Sequence, residues 1–223
     1  MKITSGFSVG SLLALSAVLS PIRLSFAAID KFDPYAYARV SYDSNIFRTN
    51  SDEEDETIGY LGAGVNADWK LSRQHLLLDA VVARAQYDSN DELDHTMIDG
   101  TGTWAWQAGN LWSGRLGYRY QDEMSSFTQR LTQDKDMRTT QTGFLEAGYQ
   151  IHPDWRLVAG ADVRDVSYEE RKRLDRDAYA GSLEVLYRNT LNTTVGVSGR
   201  YTKNDLKDVN IGGVTIDNDY DVA

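Results

Sequence analysis

Cysteine is absent from the 223 residues of this chain. The fold therefore contains no disulfide, and a lipoprotein anchor, which requires a cysteine after the leader, is excluded. Exported proteins that fold without disulfides are typical of the bacterial envelope, whereas small secreted scaffolds depend on cross-links. The missing cysteines thus favour an envelope protein if the chain is exported.

Basic residues are scarce relative to acidic ones, since 23 Lys and Arg stand against 33 Asp and Glu and give a formal net charge of −10. Nucleic acids bind proteins largely through basic residues that contact phosphate. A chain with this excess of negative charge is repelled by nucleic acid, so we expect no nucleic-acid partner.

Long apolar runs are confined to the N-terminus. Lys2 gives a positive start, Val9 to Ile22 is uncharged, and Ser25 and Ala27 are small residues where signal peptidase reads the chain. We predict a signal peptide over residues 1–27. The alternative is a retained anchor, but this run is shorter than the ~20 residues of a spanning helix.

The sequence has no later apolar run of that length. If the mature chain is an integral membrane protein, it therefore crosses the bilayer as a closed β-barrel.

The rest of the chain alternates apolar and polar residues with a period of two, the pattern of a β-strand with unlike faces. In Trp112 to Gln121 ("WSGRLGYRYQ"), one face is aromatic and apolar while the other carries Arg115 and Arg119. A tenth strand is predicted to begin near Thr215. The nine strands before it lie near residues 36–46, 59–70, 75–87, 97–107, 112–121, 143–150, 155–164, 179–188 and 194–201.

The connections between these strands are alternately short and long. The short ones are Leu71 to Gln74, Ala108 to Leu111, Ile151 to Asp154 and Asn189 to Asn192. The long, polar ones are Arg48 to Thr57, Asp88 to Thr96, Glu123 to Arg138, Glu169 to Asp177 and Lys203 to Val214. Transmembrane barrels combine short periplasmic turns with long external loops. We predict an all-β, antiparallel up-and-down transmembrane β-barrel over residues 28–223, with a secreted β-sandwich as the alternative.

Aromatic and charged residues divide between the two predicted faces. Arginine facing lipid near the midplane costs about 2–4 kcal/mol, so the charged residues are assigned to the lumen. The predicted lumen-lining residues are Arg39, Asp43, Asp68, Arg115, Arg119, Glu146, Asp162, Arg164, Glu184, Arg188 and Arg200. They form either a polar conduit for a hydrophilic solute or a set of salt bridges that fills a small barrel. The predicted interfacial girdles contain Tyr35, Tyr42, Tyr60, Trp69, Trp112, Tyr120, Tyr149, Trp155, Tyr179, Tyr187 and Tyr201, although tyrosines also stack on sugars.

The C-terminal sequence "DNDYDVA" leaves the tenth strand too short to pair along its length with the first. Bacterial single-chain barrels have even strand numbers. An unpaired strand edge in lipid leaves backbone groups unsatisfied, each at a cost of several kcal/mol. We therefore expect a partial product of a longer barrel, or a chain that is unstable as a membrane monomer.

Catalytic and metal-binding patterns are weak. His75, His95 and His152 share no metal-ligand spacing, and no HExxH, GxSxG or P-loop motif occurs, so we expect no catalytic, cofactor or metal site. Asp94 beside His95 leaves a surface hydrolase as an alternative. The acidic stretch "SDEEDE" at residues 51–56 is interpreted as a solvated loop, the alternative being cation binding between lipopolysaccharide phosphates.

Four stretches carry a resemblance: "YDSNIFR" (Tyr42 to Arg48), "GYQIHPDWRLVAGADVR" (Gly148 to Arg164), "TTVGVSGRYTKND" (Thr193 to Asp205) and "IDNDYD" (Ile216 to Asp221). They resemble the beta-barrel porin group, and within it the exosortase-associated extracellular polysaccharide biosynthesis transporter family of Gram-negative bacteria. The likeness runs from about Phe32 to the C-terminus. It implies a longer outer-membrane barrel that helps a polysaccharide assemble or leave, with outer-membrane lipid, lipopolysaccharide, the polymer and its export machinery as partners. It carries over no catalytic residues, and a general porin or surface adhesin is the alternative.

Overall fold

The structure, a computed structural model, describes residues 15–17, 31–129, 133–207, 209–211, 214–216 and 220–222. It confirms the predicted fold class, because nine long antiparallel strands follow one another in a single up-and-down sheet. The predicted signal peptide lies outside the described residues except for 15–17, whose backbone pairs with the first long strand.

The sheet is built in chain order, so each long strand pairs with the strands before and after it. The strands are β1 (Leu15–Ala17), β2 (Lys31–Asp43), β3 (Glu56–Leu71), β4 (Gln74–Tyr87), β5 (His95–Ala108), β6 (Trp112–Met124), β7 (Met137–His152), β8 (Trp155–Tyr168), β9 (Arg176–Arg188), β10 (Thr194–Leu206), β11 (Val209–Ile211), β12 (Val214–Ile216) and β13 (Tyr220–Val222). Among the described residues, β2 and β10 do not pair with each other. The sheet is therefore open, as expected for an incomplete barrel.

The predicted position of the tenth strand was wrong. Thr215 belongs to β12, which pairs with β11 in a separate two-stranded ribbon. The sequence "VNIGGVTI" explains this local pairing, since β-branched runs on both sides of Gly-Gly favour a hairpin. The strand beside β10 is β13, and it reaches only Thr202 to Asn204.

The alternation of short and long connections is confirmed for the eight connections between the nine long strands. The fifth predicted long connection, Lys203 to Val214, was wrong, because β10 continues to Leu206 and β11 lies within it. The turns 72–73, 109–111, 153–154 and 189–193 lie at one end of the sheet. The loops 44–55, 88–94 and 169–175 and the segments 125–129 and 133–136 lie at the other. We call these the short-turn end and the long-loop end. Gly109 adopts φ 60° in its three-residue turn, a left-handed conformation that glycine reaches without a steric penalty.

Pairing register fixes which residues share a face, because directly opposed residues in an antiparallel pair point the same way. Trp112 lies opposite Ala108 and Tyr149. Arg115 lies opposite Ala105 and Glu146. We call the side that contains Trp112 the apolar face and the side that contains Arg115 the polar face.

Strands β2 to β5 recur as β6 to β9, a repeat that the sequence analysis did not detect. β2 begins at Lys31 and β6 at Trp112, while β4 begins at Gln74 and β8 at Trp155, an offset of 81 residues in both cases. Both members of each pair have the same length, 13 residues for β2 and β6 and 14 for β4 and β8. The intervening long loops also match in length, 44–55 with 125–136 and 88–94 with 169–175.

A buried apolar cluster holds three long loops against the polar face at the long-loop end. Leu93, in the second loop, is fully buried, and the rings of Phe47 and Phe127 meet edge-on at 4.9 Å. The loop residues pack on polar-face positions near the strand ends, where polar side chains give way to apolar ones. The cluster consists of Ile46, Phe47, Ile58, Ala85, Tyr87, Leu93 and Phe127.

Glu56 anchors the second long loop from the first residue of β3. Its side chain is only 1% exposed. One carboxylate oxygen accepts the backbone N–H groups of Thr57, Asp88 and Ser89 at 2.9, 3.0 and 3.1 Å. The other accepts the side-chain amide of Asn90 at 2.7 Å. Charge-assisted bonds to several N–H groups compensate the burial of the carboxylate.

The second half of the repeat uses the same device. Asp136 is 2% exposed and accepts the backbone N–H of Glu170 at 2.9 Å and Nε of Arg171 at 2.6 Å. The loops 88–94 and 169–175 share a second contact. The last residue of each loop is an aspartate that accepts the backbone N–H of the tyrosine before the loop. These bonds join Asp94 to Tyr87 at 2.8 Å and Asp175 to Tyr168 at 2.7 Å.

Replacing Glu56 with glutamine is expected to lower the free energy of unfolding by about 1–3 kcal/mol, because a buried N–H group loses a charged acceptor. Urea titration of the refolded chain in detergent micelles measures this change. The control is Glu54→Gln in the exposed part of the neighbouring loop, which should stay within about 0.5 kcal/mol of the parent. Equal effects of the two substitutions would contradict the anchoring role.

Candidate functional site

All the predicted lumen-lining residues lie on the polar face. The register shows this directly for pairs such as Arg115 with Glu146 and Arg200 with Ser182. The eleven predicted residues on this face are Arg39, Asp43, Asp68, Arg115, Arg119, Glu146, Asp162, Arg164, Glu184, Arg188 and Arg200. The sequence alternation therefore identified one continuous surface that crosses the sheet from β2 to β10.

Several members of this set form ion pairs between strands. Arg115 Nη2 lies 2.9 Å from Glu146, and Arg200 Nη2 lies 2.6 Å from Asp162. Arg119 Nη2 donates to Asp99 at 2.8 Å. All three arginines are about half exposed, so each pair is worth only about 0–1 kcal/mol. These pairs connect strands, and about half of each arginine side chain stays exposed on the polar face.

Asp68 lies 3.8 Å from Nδ1 of His75 on the next strand, and the remaining members of the set make no ion pair between strands among the described residues. Asp43 accepts two hydrogen bonds from Arg48 in the adjacent loop, at 2.7 and 2.6 Å, and these bonds raise the pKa of Arg48. The guanidinium of Arg39 lies 5.6 Å from the ring centre of Tyr60. Within the described part of the chain, the side chains of Arg164, Glu184 and Arg188 make no ion pair or hydrogen bond.

Charge is distributed unevenly over the polar face. On β2 to β5 the acidic side chains are Asp33, Asp43, Glu56, Asp68, Asp79 and Asp99, against Lys31, Arg39 and Lys70. On β6 to β10 the arginines are Arg115, Arg119, Arg138, Arg156, Arg164, Arg176, Arg188 and Arg200, against Glu123, Glu146, Asp162 and Glu184. One half of the face is therefore acidic and the other basic. The sequence analysis missed this division because it listed the charges without assigning each to a face and a half.

A groove of about 300 Å³ lies on the basic half, between β6 and β10. Arg115, Arg164 and Arg200 line it together with the hydroxyl residues Thr142 and Ser182. Phe144 adds an aromatic ring at the same place. A second, wider depression of about 460 Å³ lies near the short-turn end of this face. The groove is the place where the basic half combines charge, hydroxyl groups and an aromatic surface.

The apolar face of β2 to β10 carries charge only toward the long-loop end. Its charged residues are Arg84, Asp122, Asp165, Asp177, Lys203 and Asp205. From the short turns to the middle of every long strand, this face is uncharged. On β8 the uncharged stretch runs from Trp155 to Val163. Many apolar side chains here are exposed, for example Val163 at 52% and Leu183 at 54%.

Aromatic residues border this uncharged band on both sides. All five tryptophans lie on the apolar face near the short-turn end, namely Trp69, Trp104, Trp106, Trp112 and Trp155. Tyr149 and Tyr187 join them, with ring centres 4.6 Å from Trp112 and 5.0 Å from Trp155. On the other side of the band lie Tyr42, Tyr118, Tyr120, Tyr179 and Tyr201.

Two members of the predicted girdles were assigned to the wrong face. Tyr35 lies opposite Gly64 and Tyr60 lies opposite Arg39, so both are on the polar face. A Cβ added at Gly64 would lie 2.5 Å from the Tyr35 ring, which shows that this ring covers the glycine. Proximity to a strand end suggested an interfacial position, but the alternation of side chains decides the face.

Asp94 and His95 both make contacts with neighbouring residues of the protein. His95 is 6% exposed, and its Nδ1 lies 2.8 Å from the carbonyl oxygen of Leu93. Asp94 accepts from the backbone of Tyr87 and lies 3.3 Å from Arg84. No group of three His, Asp or Glu residues in the described ranges is placed to hold a metal ion.

No family model, curated protein or solved structure matches this chain. The resemblance to the exosortase-associated family therefore stays a prediction. None of the helices among the described residues is long and apolar enough to cross a membrane.

Proposed function

We propose that this chain is an exported outer-membrane protein and acts as a conduit or export component in extracellular polysaccharide biosynthesis. In this proposal the apolar face contacts lipid and the polar face contacts the polymer. The observation that carries the membrane part is the uncharged band between two rows of aromatic residues. The polysaccharide part is supported only by the family resemblance.

The apolar face is better suited to lipid than to water. Contiguous exposed apolar patches on soluble monomers rarely exceed a few hundred Å², whereas this band crosses all nine long strands. A secreted sandwich would need a second layer over the band, and the described residues form no such layer. The stretch from Trp155 to Val163 also has about the length of a transmembrane strand, 9–11 residues. Tryptophan and tyrosine at both borders match the interfacial preference of these residues.

The orientation follows from the connections. Short turns face the periplasm and long loops face outside in known transmembrane barrels. The charged loops 44–55 and 169–175 would then be external, and the turns 72–73 and 153–154 periplasmic.

Transport along the polar face needs no covalent chemistry. Guanidinium and hydroxyl groups replace water around sugar hydroxyls as the polymer passes. Because the ion pairs of this face are half exposed and individually weak, such as Arg115 with Glu146, they exchange partners at low cost.

A general porin is the second candidate, favoured by the division of the polar face into acidic and basic halves. A transverse field of this kind acts on small charged solutes as well as on a polymer. An export component is needed for secretion of the polymer, whereas a general porin is needed for uptake of small solutes.

The location is tested by cell fractionation. We expect the processed chain in the outer-membrane fraction, because lipid would cover its exposed apolar face. Recovery of the chain as a freely soluble periplasmic or secreted protein would contradict the proposal.

The function is tested by deleting the gene. Loss of secreted polysaccharide with unchanged uptake of small solutes is the expected result, measured by uronic-acid and total-sugar assays of the medium and by solute-uptake rates. The reverse outcome, normal polymer with slowed uptake, would favour the porin and contradict export.

Lipid contact is tested by introducing one arginine on each face at the same height. Leu183→Arg on the apolar face is expected to reduce the free energy of folding into lipid vesicles by about 2–4 kcal/mol. The control is Ser198→Arg, on the polar face of the adjacent strand opposite Glu184, which should have little effect. Reversible unfolding from vesicles measures both, and equal costs would argue against a lipid-facing band.

A further inference from the structure

The groove on the basic half of the polar face has an unbalanced positive charge. Two of its arginines are ion-paired, Arg115 with Glu146 and Arg200 with Asp162. The third, Arg164, is exposed and has no ion pair or hydrogen bond within the described part of the chain. The groove therefore holds one guanidinium whose donors are all available to a ligand.

The surroundings of Arg164 leave room for a ring-sized group. Its direct neighbours across β7 and β9 are Thr142 and Ala178, and neither side chain carries charge. Gly160, four residues before Arg164 on the same strand and face and beyond Asp162, adds no side chain to the floor of the groove. The volume of about 300 Å³ accommodates a monosaccharide unit.

The other lining groups suit a sugar better than a bare ion. Thr142 and Ser182 offer hydroxyl groups that both donate and accept hydrogen bonds. Phe144 presents an aromatic surface, and its ring tip fills the space above Gly117, where an added Cβ would lie 2.3 Å away. An aromatic ring packs on the apolar C–H groups of a sugar, which inorganic anions lack.

We propose that this groove is a subsite for an acidic sugar residue, with the Arg164 guanidinium binding the sugar carboxylate and Phe144, Thr142 and Ser182 contacting its ring. Arginine binds carboxylates through two parallel, charge-assisted N–H···O bonds, whereas the hydroxyl groups of a neutral sugar carry no charge. The inference deepens the proposed function, on which it rests for the access of polymer to this face. It names the exported polymer as a uronic-acid-containing polysaccharide.

The acidic half of the face strengthens this assignment. The polar face of β2 to β5 carries six carboxylates against three cationic side chains, and this net negative charge repels a polyanion and favours the arginine-rich strands. A neutral polymer would experience no such preference.

The test measures binding to the full chain refolded in detergent micelles by isothermal titration calorimetry. The probes are hexagalacturonate, its fully methyl-esterified form and inorganic phosphate. Hexagalacturonate is expected to bind, and esterification is expected to weaken binding about tenfold or more because it removes the charge-assisted bond. Equal binding of the ester would overturn the subsite, as would phosphate that displaces hexagalacturonate at equal concentration.

Two substitutions locate the binding. Arg164→Gln is expected to weaken hexagalacturonate binding by about tenfold or more, and Arg164→Lys to restore part of it, since lysine keeps the charge but not the paired donors. The control is Arg173→Gln in an exposed loop, which removes the same charge from a residue that does not line the groove. Equal effects of Arg164→Gln and Arg173→Gln would overturn the inference.

Failure of this inference differs from failure of the proposed function. If gene deletion abolishes polymer secretion but Arg164→Gln binds hexagalacturonate normally, the export function holds and the subsite is refuted. If binding depends on Arg164 but secretion does not need the gene, the subsite holds and the export function is refuted.

Discussion

Cross-strand backbone pairing is the interaction on which the rest of this structure depends. Each hydrogen-bonded rung holds opposed residues on the same side, so one register carries the same division of faces across nine strands. Alternation within a strand becomes, through pairing, an uncharged band on one side and a continuous charged surface on the other. The loops, the aromatic rows and the groove all take their positions from this division.

Local alternation predicted most of the fold because it needs no knowledge of distant contacts. The positions of the long strands, the order of short and long connections and the polar-face set followed from it. The strand ends did not, because near the long loops both faces are polar and the alternation fades. β7 thus begins at Met137 and β10 continues to Leu206, beyond the predicted ends.

The features that sequence reasoning missed depend on comparing distant segments. Glu56 stands in an acidic run that looks like a solvated loop, and only the folded loop shows the carboxylate buried under backbone N–H groups. The loop that Glu56 anchors nevertheless has a counterpart that the sequence shows. "YDSNDELD" and "YEERKRLD" share the tyrosine, the leucine and the final aspartate at the same spacing, 81 residues apart. A search for internal repeats would have found the pair.

The repeated architecture creates an ambiguity that folding must resolve. β2 and β6 have equal length and begin equivalent halves. During folding, β5 therefore has two similar strands with which it could pair. Pairing with β6 closes only the turn 109–111, whereas pairing with β2 closes two intervening strands and their loops. Because the entropy lost on closure grows with the length enclosed, the tight turn selects the native neighbour. The short turn between the two halves thus favours the native strand order over the alternative pairing.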